Sequence, residues 1–185
     1  MENLKLWSAV EKTNPAYTKK ANVKGNRITS IAPQYQMLNA TEQFGTYGKA
    51  WGFKDIELDY SLVDKGLIVF KGQFFYPEGQ FPIINSIGLY KDNAQTKIDD
   101  DFAKKVETDA LTKALSKLGF NADIFMGKFD DCRYVAEITA EFNKPEPNEN
   151  DKGWIEGIKS GNNKLEEIQD PVYKMRIELF IKEGY

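Results

Sequence analysis

The chain has 185 residues, of which 41% are hydrophobic and 29% are charged, and its formal net charge is -3 at pH 7. This length and this balance predict one folded domain with at most a small appendage, and they exclude an intrinsically disordered chain. Histidine is absent and Cys132 is the single cysteine. The sequence therefore excludes an intramolecular disulfide, Ser-His-Asp and Cys-His catalysis, and zinc centres built from histidine or cysteine.

The N-terminal part of the chain combines a short helical pattern with a basic, turn-rich segment. Leu4, Trp7 and Val10 recur at helical spacing within residues 2–12, which predicts a short amphipathic helix. Residues 13–30 are polar and rich in turn formers, and this composition favours an extended arm or loop. The predicted arm concentrates positive charge in an acidic chain and carries Lys19, Lys20, Lys24 and Arg27.

Neither a secretory signal nor a membrane span is indicated by the sequence. Residues 1–5, MENLK, lack the basic-then-apolar pattern of a signal peptide. No apolar run approaches the ~18 residues that a transmembrane helix needs. We therefore expect a cytoplasmic protein that makes no membrane contact.

The central part of the chain predicts a helix followed by an antiparallel sheet. Pro33 and Gly45 mark the start and the end of a helix over residues 33–44. Three runs rich in β-branched and aromatic residues follow, and short turns separate them, which predicts a meander of three antiparallel strands. The predicted strands are residues 48–60, 66–76 and 81–90.

Residues 102–118 consist of good helix formers and predict a long amphipathic helix. Glu107 falls inside the apolar stripe, where an unpaired carboxylate is costly. Either it pairs with a buried basic residue or with an adjoining subunit, or the helix is rotated. The stripe is formed by Ala103, Ala110, Leu111, Ala114, Leu115 and Leu118, and the opposite face presents Lys105, Thr112, Lys113, Ser116 and Lys117.

The C-terminal third is less regular. Residues 120–143 predict a loop followed by a short strand or helix, and residues 143–152 are rich in proline, asparagine and acids, which is typical of a linker. Residues 153–185 predict a small helical tail with a helix that starts near Asp170. The expected fold is α+β: an antiparallel three-stranded β-meander packed against a long α-helix, with a preceding short helix and a small helical C-terminal tail. The predicted core spans residues 1–142.

Two patterns point to chemistry. Aspartates cluster at residues 99–101 and 130–131, as they do in two-metal nucleases, although helix capping also explains the first cluster. The lysine and hydroxyl face of the long helix suits phosphate groups, although it also suits a solvated helix face. Aromatic residues near the basic arm suit stacking on unpaired bases, with core packing as the alternative. These aromatic residues are Tyr17, Tyr35, Tyr47 and Trp51.

Residues 101–123, DFAKKVETDALTKALSKLGFNAD, resemble the signature helix of the Rad-fifty-two-like superfamily of single-strand annealing proteins. Residues 34–52, QYQMLNATEQFGTYGKAWG, resemble the family's helix, Phe-Gly turn and Gly-Trp approach to the sheet. The likeness extends over residues 11–135, and the arm KTNPAYTKK is similar to that of the Sak-type annealing proteins of bacteriophages. The matching helix positions are Thr108, Asp109, Ala110, Leu111, Lys113, Ala114, Leu115, Leu118, Gly119 and Ala122.

The resemblance implies a non-catalytic phage recombination protein that needs no metal and no cofactor. Subunits would join their sheets edge to edge into a ring or filament, and single-stranded DNA would lie in a basic groove with its bases free to pair. By position, Lys113 matches a basic residue of the signature helix that contacts DNA in the family. The chain departs from the eukaryotic members at Thr112 and Ser116, where they have basic residues, and at Tyr35, where they have an arginine, while Lys117 replaces part of the charge.

Ten residues are therefore expected to bind DNA, in a protein located in the cytoplasm of the bacterial host. The alternatives are a metal-dependent nuclease that uses the aspartate clusters and a protein-interaction module that does not bind DNA. The tail is expected to dock onto a neighbouring subunit or a partner such as a single-strand-binding protein. The expected DNA-binding residues are Lys113, Lys117, Lys105, Thr112, Ser116, Tyr35, Lys19, Lys20, Lys24 and Arg27.

Overall fold

A computed structural model describes residues 4–23, 25–92 and 94–185. It divides the chain into two compact units, Met1–Phe142 and Asn143–Tyr185. The first unit is α+β, and the second is helical. The predicted fold class is confirmed. None of the helices in the described ranges has both the length and the apolar character needed to cross a bilayer.

The sheet of the first unit is a meander of three antiparallel strands in the order β3-β4-β5. These strands are β3 (Gly52–Asp59), β4 (Leu67–Tyr76) and β5 (Gly79–Gly88). Successive side chains of a strand point to opposite faces, and β4 accordingly buries Phe70 and Phe74 on one face. The register of β3 shifts between Lys54 and Glu57, where a bulge interrupts the pairing with β4.

The long helix α3 (Phe102–Lys117) packs against β4 and β5 and closes the core of the first unit. Glu107 is exposed, and Ala103 is exposed one turn earlier, so the first turn of α3 lacks a covering layer. Of the alternatives for Glu107, pairing with a buried basic residue is therefore wrong within the described residues. The helix buries Val106, Ala110, Leu111, Ala114 and Leu115.

Helix α2 (Pro33–Phe44) has the predicted bounds and packs beside α3. Pro33 occupies the first turn, where a missing N–H costs nothing, and Gly45 ends the helix with a positive φ of 95°. The indole Nε1–H of the fully buried Trp51 donates a hydrogen bond to the carbonyl of Gly45 at 2.9 Å. This bond joins the end of α2 to the start of the sheet.

Two short strands pair as a β-hairpin in the segment that was expected to be an extended arm or loop. Strand β1 (Thr18–Val23) pairs with β2 (Asn26–Ile31) in an antiparallel register. Gly25 adopts a positive φ of 86°, which the turn requires and which glycine adopts without strain. Polar composition favours a loop here, but the β-branched residues of these short strands support pairing, so the expectation of a loop is wrong.

Helix α1 (Lys5–Val10) packs tightly against the end of α3. Gly119 has a φ of 96°, and a Cβ at this position would lie 2.6 Å from the ring of Trp7. Helices α4 (Ala122–Phe125) and α5 (Cys132–Phe142) complete the unit, where a loop and then a short strand or helix were expected.

The second unit contains α6 (Glu149–Lys159) and α7 (Pro171–Glu183). Its core comprises Ile155, Ile168, Ile177 and Phe180. Helix α6 begins inside the predicted linker 143–152, so that prediction is wrong at its C-terminal end. Asn148 and Asp151 form a capping box that starts the helix, and asparagine and aspartate are also the residues that gave the segment its linker-like composition.

Candidate nucleic-acid interface

An open cleft of about 650 Å³ separates the hairpin from α3. One wall is the hairpin and the chain that leads into it, and the other wall is the exposed side of α3 together with α4. We call this concavity the hairpin cleft. Its lining includes Tyr17, Lys19, Ile28, Ser30, Thr108 and Thr112.

A second hollow continues from the hairpin cleft along α3. The two hollows share Pro33, Thr108 and Asp109, and the second extends to Lys105 and to Ile87 of β5. The concave surface therefore follows the polar side of α3 from the hairpin towards the sheet, which is a suitable shape for an extended ligand.

The basic residues of the hairpin do not converge on one site. Lys19 lines the hairpin cleft, whereas Lys20 and Arg27 line a different hollow that also contains Asp130. Neighbouring residues of a strand point to opposite faces, and this alternation separates Lys19 from Lys20. The ammonium of Lys20 donates hydrogen bonds to Thr29 Oγ1 at 2.8 Å and to the Phe129 carbonyl at 3.1 Å. The fourth basic residue of this segment that was expected to bind DNA, Lys24, lies outside the described residues.

The three predicted lysines of α3 have different surroundings. Lys105 Nζ contacts Asp99 Oδ2 at 2.5 Å, and the hydrogen bond from Lys105 holds the pKa of the Asp99 carboxyl below its ordinary value. Lys113 Nζ donates to Asn85 Oδ1 at 3.3 Å, and Lys117 Nζ lies 5.5 Å from the centre of the Phe81 ring.

Lys113 and Lys117 are exposed, and no ion pair to either is found within residues 4–23, 25–92 and 94–185. They lie one helical turn apart, and their contacts are to β5 rather than to the hairpin. The two lysines thus form a short cationic strip beside the sheet, separate from the hairpin cleft.

The two predicted hydroxyl groups of α3 are used inside the fold. Thr112 Oγ1 donates a hydrogen bond to Gln36 Oε1 at 2.8 Å, and Ser116 Oγ donates to the backbone carbonyl of Lys113 at 3.0 Å. Gln36 Nε2 in turn donates to Asn121 Oδ1 at 3.3 Å. Gln36 and Asn121 are buried, so these bonds satisfy amide groups that would otherwise be costly inside the core.

The same polar network continues to a buried carboxylate. Asn121 Nδ2 donates to Thr13 Oγ1 at 2.9 Å, and Thr13 donates to Asp123 through its hydroxyl at 2.6 Å and its backbone N–H at 2.8 Å. Tyr134 donates its hydroxyl proton to Asp123 Oδ2 at 2.9 Å, and burial together with this bond raises the pKa of Tyr134. In the part of the chain that the structure describes, no lysine or arginine pairs with Asp123.

Two tyrosines form a stack at the edge of the hairpin cleft. The rings of Tyr17 and Tyr35 are nearly parallel, with an interplanar angle of 7° and centroids 4.4 Å apart. Tyr35, which was predicted to contact DNA, is only 8% exposed, and its hydroxyl accepts a hydrogen bond from the Asn14 N–H at 3.3 Å. Tyr17 is 46% exposed. The accessible ring is therefore Tyr17, which is one of the aromatic residues noted near the basic arm but is not among the ten expected DNA-binding residues.

The other two aromatic residues near the predicted arm do not join this stack. Trp51 is fully buried, and Tyr47 meets its ring edge to face with centroids 4.9 Å apart. Burial raises the pKa of the Tyr47 phenol, and the nearby charge of Glu107 raises it further. Core packing therefore accounts for Trp51, which was the alternative interpretation of this residue.

The acidic clusters are compensated by lysines or by local hydrogen bonds. The carboxylates of residues 99–101 lie within 4.8 Å of one another. Lys91 pairs with Asp100, and this hydrogen bond lowers the pKa of the Asp100 carboxyl, just as Lys105 lowers that of Asp99. In the other cluster, Asp131 Oδ1 accepts a hydrogen bond from the Arg133 N–H at 2.8 Å.

Both outer edges of the sheet are open. Strands β3 and β5 each pair with β4 on one side, and no strand in the described ranges pairs with their other side. An open edge presents backbone N–H and C=O groups that another strand can pair with. The bulge at Asp55, whose φ is 54°, interrupts only part of the β3 edge.

Comparison of the sequence with protein-family models and with curated proteins gave no match. The fold and the geometry of the cleft therefore supply the basis for a functional assignment.

Proposed function

We propose that this protein binds single-stranded DNA along the polar side of α3 and that its assemblies anneal complementary strands. The observation that carries the proposal is that α3 borders two complementary surfaces, which are the hairpin cleft with the exposed Tyr17 and, beside β5, the cationic strip of Lys113 and Lys117. Cations that meet phosphates and aromatic rings that meet bases are the two components of single-strand binding sites.

Charge supports the proposal in a specific way. In the described residues no carboxylate oxygen lies within ion-pair distance of the ammonium groups of Lys113 and Lys117, so both can pair with phosphates, and the nearest charge to act on Lys113 is that of Asp109 one helical turn away. Lys105 contributes less because Asp99 already neutralises it. Since each neutralised phosphate releases condensed counterions, binding through these lysines must weaken as salt increases.

Assembly supplies what one protomer lacks. Two free lysines give weak affinity, but several protomers on one strand sum their contacts, because the second and later contacts are intramolecular. The open edges of β3 and β5 are suitable surfaces for such assembly. Contacts to the backbone leave the pairing edges of the bases free, and annealing requires those edges.

The first test replaces Lys113 and Lys117 with alanine and measures binding of a labelled single-stranded oligonucleotide across a salt series. We expect weaker binding and a salt slope that is smaller in magnitude by about 1.4, because each single-strand phosphate that is no longer neutralised reduces the slope by about 0.7. The matched control replaces Lys65 and Lys152, which are also exposed and pair with Asp64 and Glu149. It removes the same formal charge from residues that are not part of α3.

The outcomes separate the proposal from its alternatives. A salt slope equal to that of the wild type in the Lys113 and Lys117 variant contradicts phosphate binding at the cationic strip. Annealing is measured with complementary strands labelled for energy transfer, in EDTA and without nucleotide. Cleavage of the strands in Mg²⁺ that is lost in an Asp130→Ala variant would instead indicate a nuclease. An unchanged native mass on addition of oligonucleotide would indicate a protein-interaction module.

A further inference from the structure

We propose that the exposed ring of Tyr17 is a stacking platform for one unpaired base in each protomer. This inference rests on the proposed function and assigns a base-binding subsite to the hairpin cleft. The site would take a nucleobase from a single strand, because the faces of a base are accessible to a protein ring only when the base is not stacked within a duplex.

The geometry of the tyrosine pair supports a platform. Tyr35 covers one face of the Tyr17 ring at a centroid distance of 4.4 Å, and the two planes differ by 7°. Tyr17 is nevertheless 46% exposed and lines the hairpin cleft. A base placed on the accessible side of Tyr17 would extend the stack to three rings in the offset-stacked arrangement, one of the two that aromatic groups favour.

The platform is held rigidly before any ligand binds. Tyr17 ends a short 3₁₀ turn that begins with Pro15, and the Asn14 side chain accepts a hydrogen bond from the Ala16 N–H at 3.0 Å. The Ala32 N–H donates to the Tyr17 carbonyl at 2.9 Å, which ties the turn to the start of α2. A ring that is already oriented loses little conformational entropy on binding, so more of the stacking energy contributes to affinity.

The composition of the cleft favours a base over a phosphate. Ile28 and Phe125 are exposed apolar residues of its lining, and Lys19 and Asp109 contribute opposite charges. A phosphate inside the cleft would therefore find one ammonium group, that of Lys19, offset by the carboxylate of Asp109 and bordered by apolar surface. The free ammonium groups of Lys113 and Lys117 contact residues of β5 instead. The chemistry of the two surfaces therefore favours phosphates at the strip and a nucleobase in the cleft.

Stacking through the face of a base leaves its hydrogen-bonding edge exposed. The platform is thus compatible with annealing, and it predicts a preference for single strands that does not depend on sequence, since every base has an aromatic face. Tyr17 contributes to affinity and to strand selection, whereas the lysines set the dependence on salt.

The test compares Tyr17→Leu with Tyr17→Phe on two oligonucleotides of equal length and charge, one with bases and one with abasic sites throughout. We expect the leucine variant to bind the base-containing strand at least about tenfold more weakly than the wild type, and the phenylalanine variant to stay within about twofold. All three proteins should bind the abasic strand equally. That equality also shows that the leucine variant is folded.

Two results would overturn the inference: equal binding of the base-containing strand by all three proteins, or a leucine variant that loses abasic binding to the same extent. The second result would make Tyr17 a structural residue of the cleft. Failure of the proposed function would give a different result, because the wild-type protein would then bind neither oligonucleotide at low salt.

Discussion

Replacement of Asp123 tests whether the buried network holds the chain that leads into the candidate interface. Asp123→Ala removes the acceptors of the Thr13 N–H, the Thr13 hydroxyl and the Tyr134 hydroxyl. A buried donor left without an acceptor costs about 1–3 kcal/mol, so we expect a loss of about 3 kcal/mol for alanine. Asp123→Asn retains one oxygen and should cost about 2 kcal/mol. Tyr134→Phe removes one hydrogen bond and should cost about 1 kcal/mol, as the matched control.

The assay is urea unfolding followed by tryptophan fluorescence. Trp154 lies in the second unit, so a Trp154→Phe substitution in every protein leaves Trp7 and Trp51 as reporters of the first unit. A loss of about 3 kcal/mol corresponds to a midpoint shift of about 1–3 M urea. An Asp123→Ala shift no larger than that of Tyr134→Phe would refute the reasoning, because it would mean that the carboxylate holds no more than one partner.

The second readout concerns the position of the hairpin. Thr13 precedes the turn that carries Tyr17, so loss of the Asp123 hydrogen bonds should release this part of the chain locally. We expect faster amide hydrogen exchange in peptides covering residues 13–31 of Asp123→Asn, with exchange in α6 unchanged. Uniform acceleration through the whole chain would instead indicate global destabilisation.

Two further predictions concern stability. Gly119→Ala should cost about 2–4 kcal/mol in chemical unfolding, because it adds a clash with Trp7 to an unfavourable φ, whereas Gly127→Ala, with a φ of 76° and its nearest atom at 3.8 Å, should cost only about 1 kcal/mol. Burial raises the pKa of Asp151, but the hydrogen bonds from its capping partner and from Arg176 outweigh burial and lower it overall. Because its folded-state pKa lies below its unfolded value, Asp151 stabilises the second unit above that unfolded value, and the contribution is lost as pH falls through the folded-state pKa. In Asp151→Asn this acid dependence should disappear from hydrogen exchange in peptides of α6, and its persistence would contradict the assignment.

The regular elements could be predicted where the signals are local. Pro33 and Gly45 mark the two ends of α2 through backbone preferences that need no tertiary contact. The strands of the meander are long and rich in β-branched and aromatic residues, so their composition distinguishes them clearly from the turns that flank them. The hairpin of residues 18–31 could not be predicted in this way. Its strands are short and polar, and the segment that leads into it is held at Thr13 by Asp123, which lies far away in sequence.

The candidate interface was predictable in composition but not in arrangement. A basic arm identifies charge, yet only a strand pairing shows that Lys19 and Lys20 face different hollows. The aspartate at residue 99 was expected at a helix start, but its contact with Lys105 depends on the path of the preceding loop. The sequence pattern does not distinguish Tyr35 from Tyr17, and only their burial in the fold shows which ring is accessible.

Edge-to-edge assembly would set the spacing of the cationic strips along a bound strand. Each protomer contributes three strands to its sheet, and neighbouring strands lie about 4.8 Å apart, so equivalent lysines would recur at about 14 Å along a continuous sheet. A stacked single strand advances about 3.4 Å per nucleotide, and this step therefore accommodates about four nucleotides. Lys113 and Lys117 would then neutralise about half of the phosphates in each step, and one base in about four would meet Tyr17. Most bases would remain in a continuous, exposed row, which is the condition under which a complementary strand can pair along its length.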